Sequence, residues 1–190
     1  MNGYDFLEFD DSFYMPDGLL DLDELNSLPV RMHYYGDGME DPNELYWTQY
    51  YVPGTHDYIS FARRLIIGYP EAAMYVARYM QSLFTGVKFR PELVTVLKTK
   101  GSIPPHIDES NRISTINIGI RNSDCAITRY SNISNIDPNW TYKEAVCKDG
   151  HTYLLNTSKT HSVISMQREE RFLFSYGLQY TYYQLVKMRN

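Results

Sequence analysis

The stretch ELVTVLKTKGSIPPHIDESNRISTINIGI, residues 92–120, decides the fold class of this chain. Residues 92–99 and 112–120 are rich in Val, Ile, Leu and Thr, the residues that pack well on a pleated sheet. Gly101 and Pro104-Pro105 separate them. The same texture continues downstream, with candidate strands at 124–130, 140–147, 151–156, 162–166, 171–176 and 178–186. Asn122-Ser123, Asp137-Pro138 and Asp149-Gly150 punctuate these runs as turns. About eight short strands in this span predict a sandwich, jelly roll or barrel.

Upstream, Val30 to Tyr35 and Leu45 to Val52 read as strands around a Gly36-Asp37-Gly38 turn. Two helices are predicted next. One starts near Asp57 and carries Phe61, Ala62, Leu65 and Ile66 before Gly68. The other opens at Pro70 and places Ala73, Val76, Ala77, Met80, Leu83 and Phe84 on one stripe. Residues 1–28 are expected to be irregular, with aromatics packed on the body and a short helix between Asp21 and Leu28. The expected class is α+β, mainly β: a double-stranded β-helix (jelly roll) of about eight strands braced by two N-terminal helices. The chain reads as one domain, 1–190, with an acidic leader over 1–45, bracing helices over 57–84 and a core over 92–186.

Charge sharpens this division. Residues 1–45 hold 12 acids and one base, Arg31, for −11, whereas the rest holds 11 acids and 17 bases, for +6. The net −5 excludes a strongly basic nucleic-acid protein. The leader reads as an appended element that covers the helix-braced side or borders a pocket mouth. Apolar content of 43% suits a folded domain, and no apolar run is long enough to span a membrane. The N-terminal residues lack the order of a secretory signal, so a cytoplasmic protein is expected. Cys125 and Cys147 form no CxxC; buried thiols are the expectation, with one disulfide still open.

Chemistry concentrates at Pro104-Pro105-His106-Ile107-Asp108-Glu109. On an extended segment, His106 and Asp108 point the same way, so an imidazole and a carboxylate can meet one divalent metal. The prolines stiffen the approach. His-x-Asp by itself is a weak signal. His161 follows 55 residues after His106 and opens a strand, and Arg171 lies ten residues further on.

In order and spacing, His106, Asp108, His161 and Arg171 resemble the iron(II)/2-oxoglutarate-dependent oxygenases. The resemblance spans residues 92–177 and leans towards the aspartyl/asparaginyl β-hydroxylase or prolyl-hydroxylase branches. Pro105-His106, Ile118-Gly119-Ile120 and His161-Ser162-Val163 carry that lean. It implies Fe(II) on His106, Asp108 and His161, with no catalytic residue beyond these ligands. It also implies 2-oxoglutarate as cosubstrate, its far carboxylate on Arg171, with ascorbate as a reductant. Strand alternation places Ser175 beside Arg171 as a second donor, with Phe172, Phe174 and Tyr176 on the other face. Thr115 and Asn117 stand where the β-hydroxylase branch carries bases, and they supply hydrogen bonds without charge. Lys98 and Arg129 are alternative bases.

Other candidates read as structural. His151 is expected to be exposed, His33 and His56 have no partner at useful spacing, and Glu109 competes with Asp108 for metal. Trp140 and Tyr130 read as packing or as pocket lining. The expected function is hydroxylation of a C–H bond in a protein side chain or amino-acid-like small molecule. The substrate is then a small molecule or peptide, with no nucleic acid or membrane partner, and oligomeric state is not legible. The alternative is a non-catalytic jelly-roll or cupin-like module that binds a metal or ligand.

Overall fold

The computed structural model describes residues 5–28, 30–34, 47–51, 60–65, 69–108, 112–130, 143–166 and 170–190. In chain order the elements are β1 (Phe6–Ser12), α1 (Leu22–Ser27), β2 (Val30–Tyr34), β3 (Trp47–Tyr51), β4 (Ser60–Leu65), α2 (Pro70–Ser82), β5 (Thr95–Lys100), β6 (Ile103–His106), β7 (Ser114–Arg121), β8 (Ala126–Tyr130), β9 (Lys143–Val146), β10 (His151–Leu155), β11 (His161–Ser165), β12 (Arg171–Leu178) and α3 (Tyr182–Lys187). The larger sheet runs β1-β10-β7-β12-β5-β4-β3-β2 and the smaller β6-β11-β8-β9. All neighbours are antiparallel except β2 and β3. From β5 to β12 the chain passes repeatedly between the sheets, with β8 and β9 together in the smaller one, an arrangement consistent with a jelly roll.

Period-two alternation sorts the residues of the central strands onto two faces. Ile116, Ile118, Phe172, Phe174 and Tyr176 pack with Val94, Val96 and Leu154 against the apolar stripe of α2. That stripe is Ala72, Ala73, Val76, Ala77 and Met80, the 3.6-residue spacing of a one-sided helix. Pro70 suits the first turn because its missing N–H would have no helical partner there. The opposite face carries Leu97, Tyr153, Leu155 and Leu173, joined by Cys147 just past β9, so it looks towards the smaller sheet. Each large side chain buried in these layers is worth about 1.5–3 kcal/mol. β6 contains Pro104 and Pro105 and, among the described strands, pairs only with β11 at the sheet edge, where absent N–H donors cost least.

Four expectations are corrected. The helix expected from Asp57 to Gly68 is strand β4 over the described residues 60–65, paired with β5 from Ser60↔Lys100 to Leu65↔Thr95. A four-residue recurrence over so short a segment fits either structure, and β5 supplies an open edge that decides it. The strand expected over 178–186 becomes helix α3 from Tyr182. Thr181 caps it, with Gln184 closing a reciprocal capping box, and Tyr182 and Leu185 are buried one helical turn apart. Residues 91–93 form a short 3-10 turn before β5. The leader is not appended. Its β1 pairs with β10, and Phe9 and Phe13 enter the main core. α1 does form between Asp21 and Leu28, with the Asp21 side chain accepting from the N–H groups of Asp23 and Glu24. Among the described residues, no helix is long and apolar enough to cross a membrane.

Candidate metal centre

β6 and β11 pair so that His106 lies opposite His161. A register shift follows between His161 and Val163, the kind of irregularity that re-aims a side chain. The two rings sit 4.3 Å apart, centroid to centroid. Asp108 lies just beyond β6, and its N–H donates to the Thr157 carbonyl at 3.1 Å. Its Oδ1 is 3.3 Å from His106 Nε2 and 3.7 Å from His161 Nε2. One ligand atom from each of His106, Asp108 and His161 falls within 4.8 Å of the others, so the three can hold one metal ion.

The protonation pattern suits a cation. His161 Nδ1 donates to the Lys159 carbonyl at 2.9 Å, which leaves the Nε2 lone pair turned towards Asp108. Burial, reinforced by the neighbouring His106, lowers the His161 pKa and favours the neutral ring. Burial opposes ionisation of Asp108, but the His106 hydrogen bond and the Arg112 charge outweigh it and hold the carboxyl below its usual range.

One turn organises these groups. In the segment from Asn156 to Thr160, Thr157 O receives Asp108 N–H, Thr157 Oγ1 donates to Arg112 O at 2.6 Å, and Lys159 O orients His161. The leader reaches the same turn, with Asp5 2.6 Å from Lys159 Nζ. Tyr130, paired with His161 across β8 and β11, is buried and packs between His161 and Phe6, which makes it packing around the site.

Arg171 is 4% exposed on the same face of β12 as Leu173. Its Nε donates to Thr99 Oγ1 at 3.1 Å, and its buried Nη1 has no hydrogen-bond partner. Burial lowers its pKa, and the ionisable groups acting on it are the thiols of Cys147 and Cys125. Among the described residues no carboxylate lies within ion-pair distance of it. A guanidinium stays charged in such a place, so an anion is the group that would complete it. Asn117, buried opposite Tyr153 and Ser175, also leaves Oδ1 without a partner. Thr115 Oγ1 sits 3.4 Å from Thr157 Oγ1.

Ser175, and the two alternative bases Lys98 and Arg129, have other partners. Ser175 Oγ accepts from Arg112 Nη2 at 3.1 Å, and no hydrogen bond joins it to Arg171, four residues away along β12. Lys98 Nζ donates to Asn26 on the helix-covered face, and Arg129 pairs with Glu144. His151 joins Glu8 at 2.9 Å, apart from the metal cluster. Glu109, Trp140 and His56 lie outside the described residues, as does the His33 side chain. Arg112 is the site residue that sequence reasoning missed. The sequence pattern puts it at the start of a strand over 112–120, where alternation groups it with Ile116. In the structure β7 begins at Ser114, and that parity does not reach Arg112.

No family model matches the chain, and no curated protein does. Among solved structures, HygX from Streptomyces hygroscopicus, with nickel, 2-oxoglutarate and hygromycin B bound, is similar at 12% identity and a TM-score of 0.49. That match covers 93% of this chain and 84% of HygX. The non-heme alpha ketoglutarate dependent epimerase SnoN is similar at 12% identity and a TM-score of 0.36, over 61% of this chain. The chain spans only 59% of SnoN's length. Vicilin from hazelnut (Corylus avellana) is similar at 13% identity and a TM-score of 0.37, covering 67% of this chain and 30% of its own.

Proposed function

We propose that the chain is an iron(II)- and 2-oxoglutarate-dependent oxygenase that hydroxylates a C–H bond, releasing succinate and carbon dioxide. The observation that carries this reading is a two-histidine, one-carboxylate cluster in the same fold as a buried guanidinium with no carboxylate partner among the described residues. Two imidazoles and one carboxylate match the donor set of non-haem iron(II) and leave positions open for other ligands. The orphaned Nη1 of Arg171 matches an anionic cosubstrate end.

When bound, iron and 2-oxoglutarate supply the oxidising chemistry. The chain's own residues bind, orient and exclude water. His161 is held by Lys159 O with Nε2 free, and Asp108 brings a negative charge. Arg171, braced by Thr99, would receive the far carboxylate on its unpartnered Nη1. Leu97, Tyr153, Leu155 and Leu173 keep that interior apolar, which strengthens the ion pair. The substrate is a protein side chain or an amino-acid-like small molecule, met in the cytoplasm.

The test is succinate formation by pure protein given iron(II), ascorbate and 2-oxoglutarate, with His161→Ala and Arg171→Met as controls. Succinate that disappears in both variants supports the reading. Metal binding without 2-oxoglutarate binding overturns it in favour of a non-catalytic jelly-roll or cupin-like module.

A further inference from the structure

Asp108 presents its two oxygens to different partners. Oδ1 faces both imidazole Nε2 atoms, at 3.3 and 3.7 Å. Oδ2 faces Arg112 Nε at 3.5 Å, a charge contact slightly long for a hydrogen bond. Arg112 is itself held on three sides. Its Nη2 donates to Ser175 Oγ on β12 at 3.1 Å. Its carbonyl accepts from Thr157 Oγ1. Its side chain lies against Gly177, where a Cβ would come within 2.6 Å of Arg112 Cγ. The two side chains are 21% and 17% exposed, so their attraction is screened less than that of a surface pair.

We propose that Arg112 is a positioning residue that occupies the second oxygen of Asp108 and so makes this carboxylate a one-oxygen metal ligand. Turning Oδ2 towards a metal would break the contact with Arg112, whose own placement is fixed by β12 and by the turn before β11. The consequence is an open coordination position that a two-oxygen carboxylate would fill. Gly177 belongs to the same device, because a side chain there would displace Arg112. This inference rests on the metal reading of His106, Asp108 and His161.

Charge and positioning make different predictions, which the coordination number of bound cobalt(II) separates. If Arg112 acted by charge alone, its removal would tighten metal binding and leave the cobalt spectrum unchanged. If Arg112 holds Oδ2 away, its removal lets that oxygen reach the metal, and the spectrum changes towards that of a higher coordination number. The experiment is cobalt(II) titration of the full chain, followed by calorimetry and visible absorption, with thermal melts confirming a folded protein. Arg112→Gln is expected to lower the visible absorption of bound cobalt, the sign of an added ligand, with a smaller change in Arg112→Lys. Ser175→Ala, which removes one of the guanidinium's hydrogen bonds while keeping its charge, is expected to change the spectrum in the same direction. It also stands in if Arg112→Gln does not fold. An unchanged spectrum in the folded variants, whatever the affinity, overturns the proposal and leaves the metal site standing. A folded unaltered chain that takes up no cobalt overturns the metal reading and this proposal together.

Discussion

His106 and His161 stand opposite each other in the β6–β11 register, and both Nε2 atoms face the same oxygen of Asp108. Two residues 55 positions apart in sequence thereby share one focus, set by backbone pairing. The rings need little further ordering to receive a cation.

On the proposed metal reading, removing either ring removes one of three ligands. In His161→Ala, metal retained after gel filtration, measured by elemental analysis, is expected to fall to background. Affinity is expected to drop more than the roughly 10–100-fold typical of a supporting residue. Retained metal would show that the cluster is not the site.

Arg171→Met separates binding from stability. The substitution removes a buried charge that has no carboxylate partner among the described residues, so the ligand-free protein is expected to melt at the same or a higher temperature. Affinity for 2-oxoglutarate, measured by calorimetry on metal-loaded protein, is expected to fall at least about 10-fold, the loss of roughly one charge-assisted contact. Metal binding is expected to be retained. A lower melting temperature with unchanged cosubstrate affinity would make Arg171 structural.

Cys147 supplies a pH dependence. Burial pushes its thiol up to about 11. The unfolded chain loses this proton near pH 8.5 to 9, before the folded chain does. The folded state binds more protons in that window, so stability falls as pH rises from about 9 towards 11. Urea midpoints are expected to decline over this range, and Cys147→Ala is expected to flatten the decline. Both cysteines are buried, so labelling with a thiol reagent at pH 8 is expected to track unfolding.

Gly119 is a steric requirement. A Cβ at this position in β7 would sit 2.1 Å from the Lys148 carbonyl, where the segment at Asp149 forms a parallel bridge to Gly119. Backbone cannot yield as a flexible side chain can, so Gly119→Ala is expected to cost about 3 kcal/mol or more in urea unfolding. Wild-type stability would mean that the segment bridged to Gly119 moves aside freely.

Phe9→Ala tests whether the leader is integral. Phe9 is 6% exposed and meets Phe84 edge to face at 5.4 Å. Losing it is expected to cost about 3–5 kcal/mol. A change under about 1 kcal/mol would restore the picture of an appended leader.

Much of this was legible in the residues. Alternation placed Thr115 and Asn117 on one face of β7, and set Arg171 and Leu173 apart from Phe172 and Phe174, because period two is a local property of an extended backbone. The stripe on α2 and the short helix between Asp21 and Leu28 were local signals too. Residues 60–65 went the other way because a short segment takes the structure its neighbour offers, and β5 offered an edge. The helix at Tyr182 had a readable signal in Thr181 and Gln184, which the aromatic run around it obscured.

The site divides along the same line. From the chain alone came the residue types and order: His106, Asp108, His161 and Arg171, with donors suited to a divalent metal and an anion. The tertiary structure decided that the first three meet, because inter-strand register is a long-range property that spacing does not encode. It also decided that Ser175 belongs to Arg112 and not to Arg171, and that Asp108 divides its oxygens between a histidine pair and a guanidinium. Those partnerships depend on the path of a turn and on the space left by Gly177. Side chains from irregular segments carry no periodic signature, so only the folded chain could assign them.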